Sequence, residues 1–209
     1  MQSFFIREEM YMKKVLTEMV FILDASGSMH GLEKDTVGGF NSILESQKKE
    51  EGDAVVTTII FSNDHRTAHD RADIQSIAPL TEKDYQTSGC TALLDAVGYA
   101  IEHISTIHKY ARKEDVPQKT IFTITTDGME NASCKYSYAD IKKLIESKKE
   151  IGWDFVFTGA NIDVQQEAAK MGIDACYASS YVCDGKGIAK NSRHVDGVLR
   201  NLRSKAAKE

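Results

Sequence analysis

Hydrophobic positions in this chain fall into short unbroken runs and longer periodic stretches that alternate from end to end. Met19-Val20-Phe21-Ile22-Leu23 is a continuous apolar run, the pattern of a strand covered on both faces, and it predicts a first strand from Val15 to Asp24. From Gly31 to Glu51 the apolar residues Leu32, Val37, Phe40, Ile43 and Leu44 take up helical spacing. Gly38-Gly39 inside that stretch costs about 1 kcal/mol per glycine relative to alanine, which predicts either close packing on the sheet or a bend. Asp53 to Ser62 is rich in β-branched residues and reads as a second central strand. After a turn at Asn63-Asp64, the more polar Arg66 to Ile74 reads as an antiparallel edge strand.

A loop from Pro79 to Gly89 leads into a long helix from Thr91 to Arg112, with Leu94, Val97, Ala100, Ile101, Ile104 and Ile107 on its apolar face. Thr120 to Thr126 reads as a strand, Tyr138 to Glu150 as an amphipathic helix, and Trp153 to Thr158 as a strand ending at Gly159. Val164 to Met171, a short strand around Ala175 to Ala178 and a helix from Gly185 onward finish the domain. This alternation is the mark of βαβ units. The expected fold is α/β and doubly wound: a mostly parallel sheet of about six strands, one antiparallel edge strand, and helices on both faces.

Composition narrows the class. A chain of 209 residues with 42% hydrophobic and 27% charged residues is that of a single globular domain, and two prolines leave no proline-rich linker. Residues 12–209 are expected to form one domain, preceded by a leader of residues 1–11 that reads as disordered or as a misassigned start. A net charge of −5 argues against a nucleic-acid surface. The locally basic stretch with Arg200, Arg203, Lys205 and Lys208 reads as a helix C-terminus and solvated tail. No apolar run reaches membrane-span length or makes a signal peptide. Cys90, Cys134, Cys176 and Cys183 show no C-x-x-C spacing and read as reduced thiols, which suits a cytoplasmic location.

The chemistry gathers at strand ends. Asp24-Ala25-Ser26-Gly27-Ser28 closes the first apolar run and presents one carboxylate and two hydroxyls where a buried strand stops. Short polar side chains there bury little apolar area and need partners for their oxygens. Thr91 follows the turn residue Gly89 and precedes a helix, while Asp127 ends the Thr120–Thr126 run and is followed by Gly128, Met129, Glu130 and Asn131. Taken singly, the first motif could be a helix-capping turn, Thr91 an N-cap and Asp127-Gly128 an ordinary turn.

Together, Asp-x-Ser-x-Ser, a downstream Thr and a strand-terminal Thr-Asp-Gly resemble the metal-ion-dependent adhesion site of von Willebrand factor type A domains. The resemblance runs from about Val15 to the C-terminal helix and points to an intracellular member of bacterial or phage type. It implies a metal site of Asp24, Ser26, Ser28, Thr91 and Asp127, with the hydroxyls as direct ligands and the carboxylates acting mainly through water. Mg²⁺, which takes octahedral oxygen ligands and keeps several waters, is the expected ion, with Mn²⁺ or Ca²⁺ as substitutes. A shell of neutral hydroxyls leaves the ion's charge incompletely compensated, so that an Asp or Glu of a partner protein can complete the coordination.

The expected function is therefore a metal-dependent protein-binding module and not an enzyme, with no nucleic-acid or membrane partner. The competing expectation is a metal-dependent phosphatase or hydrolase with Asp24 as nucleophile. Ser26 stands where such enzymes commonly carry a second acid, and no charge-stabilising lysine motif follows. Neither a P-loop nor a G-x-G-x-x-G is present. His65-x-x-x-His69 has the spacing of helical metal ligands but lies in a turn and strand. Glu130, Asn131 and Asn161 are candidates for the rim of the site, and Met129, Tyr136, Tyr138 and Tyr181 for a contact surface.

Overall fold

Alternation of side chains along the first strand organises the molecule. In a computed structural model describing residues 15–206, β1 (Leu16–Asp24) sends Val20 and Ile22 into one hydrophobic layer and Met19, Phe21 and Leu23 into the other. The continuous apolar run thus reflects burial on both faces. β1 is flanked in parallel by β2 (Asp53–Phe61) and β4 (Lys119–Thr126), and the whole sheet runs β3-β2-β1-β4-β5-β6. β5 (Trp153–Gly159) and β6 (Ala178–Ser180) continue it in parallel. β3 (His65–Asp73) is the one antiparallel strand, at the edge, where its polar residues reach water.

Helices cover both faces. α2 (Leu93–Tyr110), α3 (Tyr138–Lys149) and α4 (Val164–Lys170) pack in the layer of Val20, Ile22, Phe122 and Ile124. α1 (Glu33–Gln47) and α5 (Gly185–Ala206) cover Met19, Phe21, Leu23 and Ile121. The expected doubly wound architecture is present, and the leader assigned to residues 1–11 lies outside the described residues.

Chain order reverses at β1: β2 and β3 build the sheet to one side, and β4, β5 and β6 to the other. The carboxyl ends of β1 and β4 therefore flank the switch point, where such sheets form ligand crevices. Leu23 lies opposite Thr125 in the register, so Asp24 and Asp127 leave neighbouring strands at one edge.

Several boundaries differ from expectation, each for a local reason. The first helix starts at Glu33 because Gly31, at φ +86°, breaks the path from a short 3-10 turn at Gly27–Met29. Gly39 serves a close approach, but to α5 and not to the sheet: a methyl there would collide with Ser192. The last strand starts at Ala178, after a 3-10 turn over Ala175–Tyr177. The basic C-terminal residues are not all solvated. Arg203 is buried and donates to the carbonyls of Gln47, Glu51 and Gly52 and to Gln47 Oε1, at 3.0–3.3 Å. Arg200 pairs with Glu50 and Asp196, so this cationic pair ties α5 to the end of α1.

Candidate metal centre

The loop after β1 is fixed from three sides. Ala25 N–H donates to the Phe61 carbonyl (2.7 Å), Ser88 N–H to the Ala25 carbonyl (2.9 Å), and Gly27 N–H to the Gly89 carbonyl (3.0 Å). These backbone bonds latch residues 25–27 to the end of β2 and to the segment before α2, so the two hydroxyl-bearing loops lie side by side. Gly89 has φ +73°, and a side chain there would run into Asn63, whose Oδ1 accepts from Cys90 N–H at 2.8 Å. Glycine is needed at that turn.

Asp24, 2% exposed, accepts from Ser26 N–H on Oδ1 (2.8 Å) and from Thr126 Oγ1–H on Oδ2 (2.6 Å). Its carbonyl accepts from the Tyr85 hydroxyl. Ser26 Oγ lies 3.1 Å from Ser28 Oγ, and Ser28 Oγ–H donates to Asp127 Oδ1 at 2.7 Å. Gly128 places Thr91: a methyl on it would sit 3.6 Å from Thr91 Oγ1 and 3.9 Å from Ser28 Oγ, so both hydroxyls face one point. All five predicted residues thus converge at the β1/β4 switch point. Ser28 is the exposed member; the other four are buried.

Thr91 is not a helix cap. α2 begins at Leu93, and its first amides are met from another loop: Leu94 N–H donates to Glu130 Oε2 (2.9 Å) and Asp95 N–H to Ser133 Oγ (3.0 Å). Asp95 returns the connection by accepting from the amides of Cys134, Lys135 and Tyr136. Glu130 and Asn131 are therefore braces of the loop after β4, with Asn131 Oδ1 accepting from Thr91 N–H (2.9 Å). Of the rim candidates, Asn161 alone reaches Asp127 directly, donating to its carbonyl at 3.3 Å.

The electrostatics are those of an uncompensated acidic pair. Burial pushes the Asp24 carboxyl above its ordinary range, hydrogen bonds from Thr126 and Ser26 oppose that, and the charge of Asp127 reinforces it. Among the described residues, no Lys, Arg or His forms an ion pair with either Asp24 or Asp127. Tyr85, buried, and Tyr181, half-buried, lie near the pair and have their phenols raised chiefly by desolvation.

Cys183 is a neighbour that the sequence did not single out. Its Sγ–H lies 3.6 Å from Asp127 Oδ2, and burial, then the Asp127 charge, push the thiol up to about 11. Its one legible signal was a place just after a short strand. Tyr85 was also missed, because it reads as loop, and Thr126 stood only as the Thr of the Thr-Asp-Gly motif, with no role of its own assigned. Cys90 and Cys134 are exposed and contribute backbone bonds to the loops of the site. His65 and His69 take separate partners, Tyr99 and Thr58. No trio of His, Cys, Asp or Glu suited to a metal is found among the described residues, and no described helix is long and apolar enough to cross a membrane. Tyr136 packs over Gly98 and the Tyr138 hydroxyl donates to Glu167, so neither is a free contact residue.

The fold is that of a von Willebrand factor type A domain. Proximal thread matrix protein 1 from the mussel byssus, in a structure with a zinc-occupied metal-ion-dependent adhesion site, superposes with TM-score 0.61 and 14% identity over 90% of this chain. The manganese-loaded TRAP protein of Plasmodium vivax gives 0.57 and 13% over 84% of this chain and 71% of its own. The von Willebrand factor type A protein of Catenulispora acidiphila gives 0.58 and 18% over 88% of this chain and 42% of its own. The chain spans about half the length of the byssus protein (46%). No family model matches the sequence, and no curated protein does.

Proposed function

We propose that this chain is a divalent-metal-dependent protein-binding module, and not an enzyme, that captures an acidic side chain of a partner at the β1/β4 switch point. The observation that carries this reading is the buried Asp24–Asp127 pair, without a cationic partner among the described residues and lined by three hydroxyls. Two buried carboxylates in one crevice are costly unless a cation joins them. The donor set is oxygen only, which fits Mg²⁺ or Mn²⁺. Ser26, Ser28 and Thr91 would hold the ion directly, with Asp24 and Asp127 orienting the hydroxyls and bound waters. Such an ion supplies an open coordination position for a carboxylate.

The rest of the site works by positioning. Thr126 and the Ser26 amide hold the Asp24 carboxylate in one orientation, while Ser28 and Cys183 engage the two oxygens of Asp127. The alternative of an Asp24 nucleophile is disfavoured because Asp24 is buried and both of its carboxylate oxygens accept hydrogen bonds within the fold. A cytoplasmic setting and an intracellular member of bacterial or phage type belong to the same proposal, and four unpaired cysteines without C-x-x-C spacing fit it.

Titration calorimetry with Mg²⁺ and Mn²⁺ tests the reading directly. Wild type should bind one ion, and Asp24→Ala should lose that binding while remaining folded by circular dichroism. No divalent-ion heat in the wild type, or the same heat in Asp24→Ala, would overturn it.

A further inference from the structure

Four large apolar side chains stand exposed among the described residues: Tyr110, Met129, Ile151 and Val182. Tyr110 ends α2 and Ile151 precedes β5, so both lie at the edge where the parallel strands begin. Met129 and Val182, 66% and 67% exposed, lie at the opposite edge, beside the acidic pair. Met129 follows Gly128, where an added methyl would lie 3.6 Å from Thr91 Oγ1 and 3.9 Å from Ser28 Oγ. Val182 precedes Cys183, whose thiol meets Asp127 Oδ2. Two exposed apolar residues therefore each adjoin a residue of the charged crevice.

Both are presented on fixed backbone. Tyr181 N–H donates to the Gly159 carbonyl (2.9 Å) and its hydroxyl to the Thr126 carbonyl (3.2 Å), while the Val182 carbonyl accepts from Asp184 N–H at 2.8 Å. On the Met129 loop, Glu130 and Asn131 tie the segment after Gly128 to Thr91 and the start of α2. Such pre-ordering reduces what binding would cost in lost freedom. The thioether of Met129 can adapt to differently shaped apolar neighbours.

We infer that Met129 and Val182 form the specificity rim of this site, and that its partner is a protein segment in which one Asp or Glu has aliphatic neighbours. This rests on the metal-dependent capture proposed above. Charge complementarity selects the acid: a cation held by this site would attract a carboxylate, and the apolar residues at its border would select that carboxylate's neighbours.

The test uses the full chain in Mg²⁺ and three capped peptides, Gly-Leu-Asp-Leu-Gly, Gly-Ser-Asp-Ser-Gly and Gly-Leu-Asn-Leu-Gly, followed by amide chemical shifts. The Leu-flanked Asp peptide should bind about tenfold more tightly than the Ser-flanked one. The Asn peptide and all chelator-treated samples should show no binding. In M129S/V182S that preference should fall to about threefold or less, with Mg²⁺ affinity and Ser-flanked binding unchanged. Equal binding of both Asp peptides to wild type, or an undiminished preference in the double variant, would overturn the rim and leave carboxylate capture standing. If neither Asp peptide responds to Mg²⁺, the capture reading fails and the rim fails with it.

Discussion

Thr126 donates its hydroxyl hydrogen to Asp24 Oδ2 at 2.6 Å, joining the last residue of β4 to the last residue of β1 across the switch point. The same hydroxyl accepts from Gly128 N–H at 3.3 Å, so one threonine orients both the acid and the turn that follows β4. Thr126→Val keeps the shape and removes the bond. It should leave a buried carboxylate oxygen unpartnered and cost about 2 kcal/mol in urea unfolding. Because partners of this kind fix a metal-site residue's orientation, Mn²⁺ affinity by calorimetry should fall about tenfold or more.

Gly128→Ala separates stability from binding. The added methyl would lie at ordinary contact distance from Thr91 Oγ1 and Ser28 Oγ, so the fold should tolerate it. It would nevertheless occupy the space that both hydroxyls face. Thermal melting without metal should be unchanged within about 1 °C, since one methyl at contact distance adds little strain. Mn²⁺ affinity should fall by on the order of tenfold, the low end for changes beside a metal's ligands. Equal loss of melting temperature and affinity would contradict this placement.

At the opposite end of β1, Glu18 is fully buried and accepts from Arg71 Nε (3.0 Å) and His108 Nε2 (2.7 Å), linking β1 to β3 and α2. Removing one member of such a group strands the others. Glu18→Ala should cost about 3 kcal/mol in chemical denaturation. It should leave metal affinity intact, because Glu18 and Asp24 stand at opposite ends of one strand.

His69 gives a pH dependence with a defined sign. Burial holds its imidazole below the usual value of 6.5, with its Nδ1 against Thr58 Oγ1 and its ring stacked on Phe40. His65 is shifted the same way, chiefly by burial. The unfolded chain then binds protons more readily than the folded one, so stability is full above 6.5 and is lost as pH falls below it. The urea midpoint should be lower at pH 5.5 than at pH 7.5, and His69→Asn should show a smaller drop. An equal drop in both proteins would assign the dependence elsewhere.

Runs such as Val20–Leu23 and Thr120–Thr126 were legible because continuous apolar or β-branched sequence has few other places to go in a chain of this length. The convergence of Asp24, Ser26, Ser28, Thr91 and Asp127 was legible only through the resemblance of the three motifs together to a known metal site, since each motif taken singly reads as a cap or a turn. What the sequence concealed was partnership over distance. Glu130 and Ser133 serve the amides of α2 from 36 and 38 residues away, which frees Thr91 from a capping role that its position suggests. Arg203 reads as a solvated cation in a basic tail, yet lies buried on four acceptors at the end of α1 and the loop after it. Cys183 and Tyr85 carried no motif at all. Their contribution depends on which strands adjoin, and that is a property of the assembled sheet.

The bond between Ser28 and Asp127 spans 99 residues of sequence. A nascent chain that has made only β1, α1 and β2 holds the first half of this crevice and has no second half to set beside it. Closing so large a loop carries an entropic cost that only the completed central sheet recovers, which places formation of the site late in folding. A cation that needs both halves could not then guide the early steps; it would add its stability only to a domain in which β4 has already joined β1.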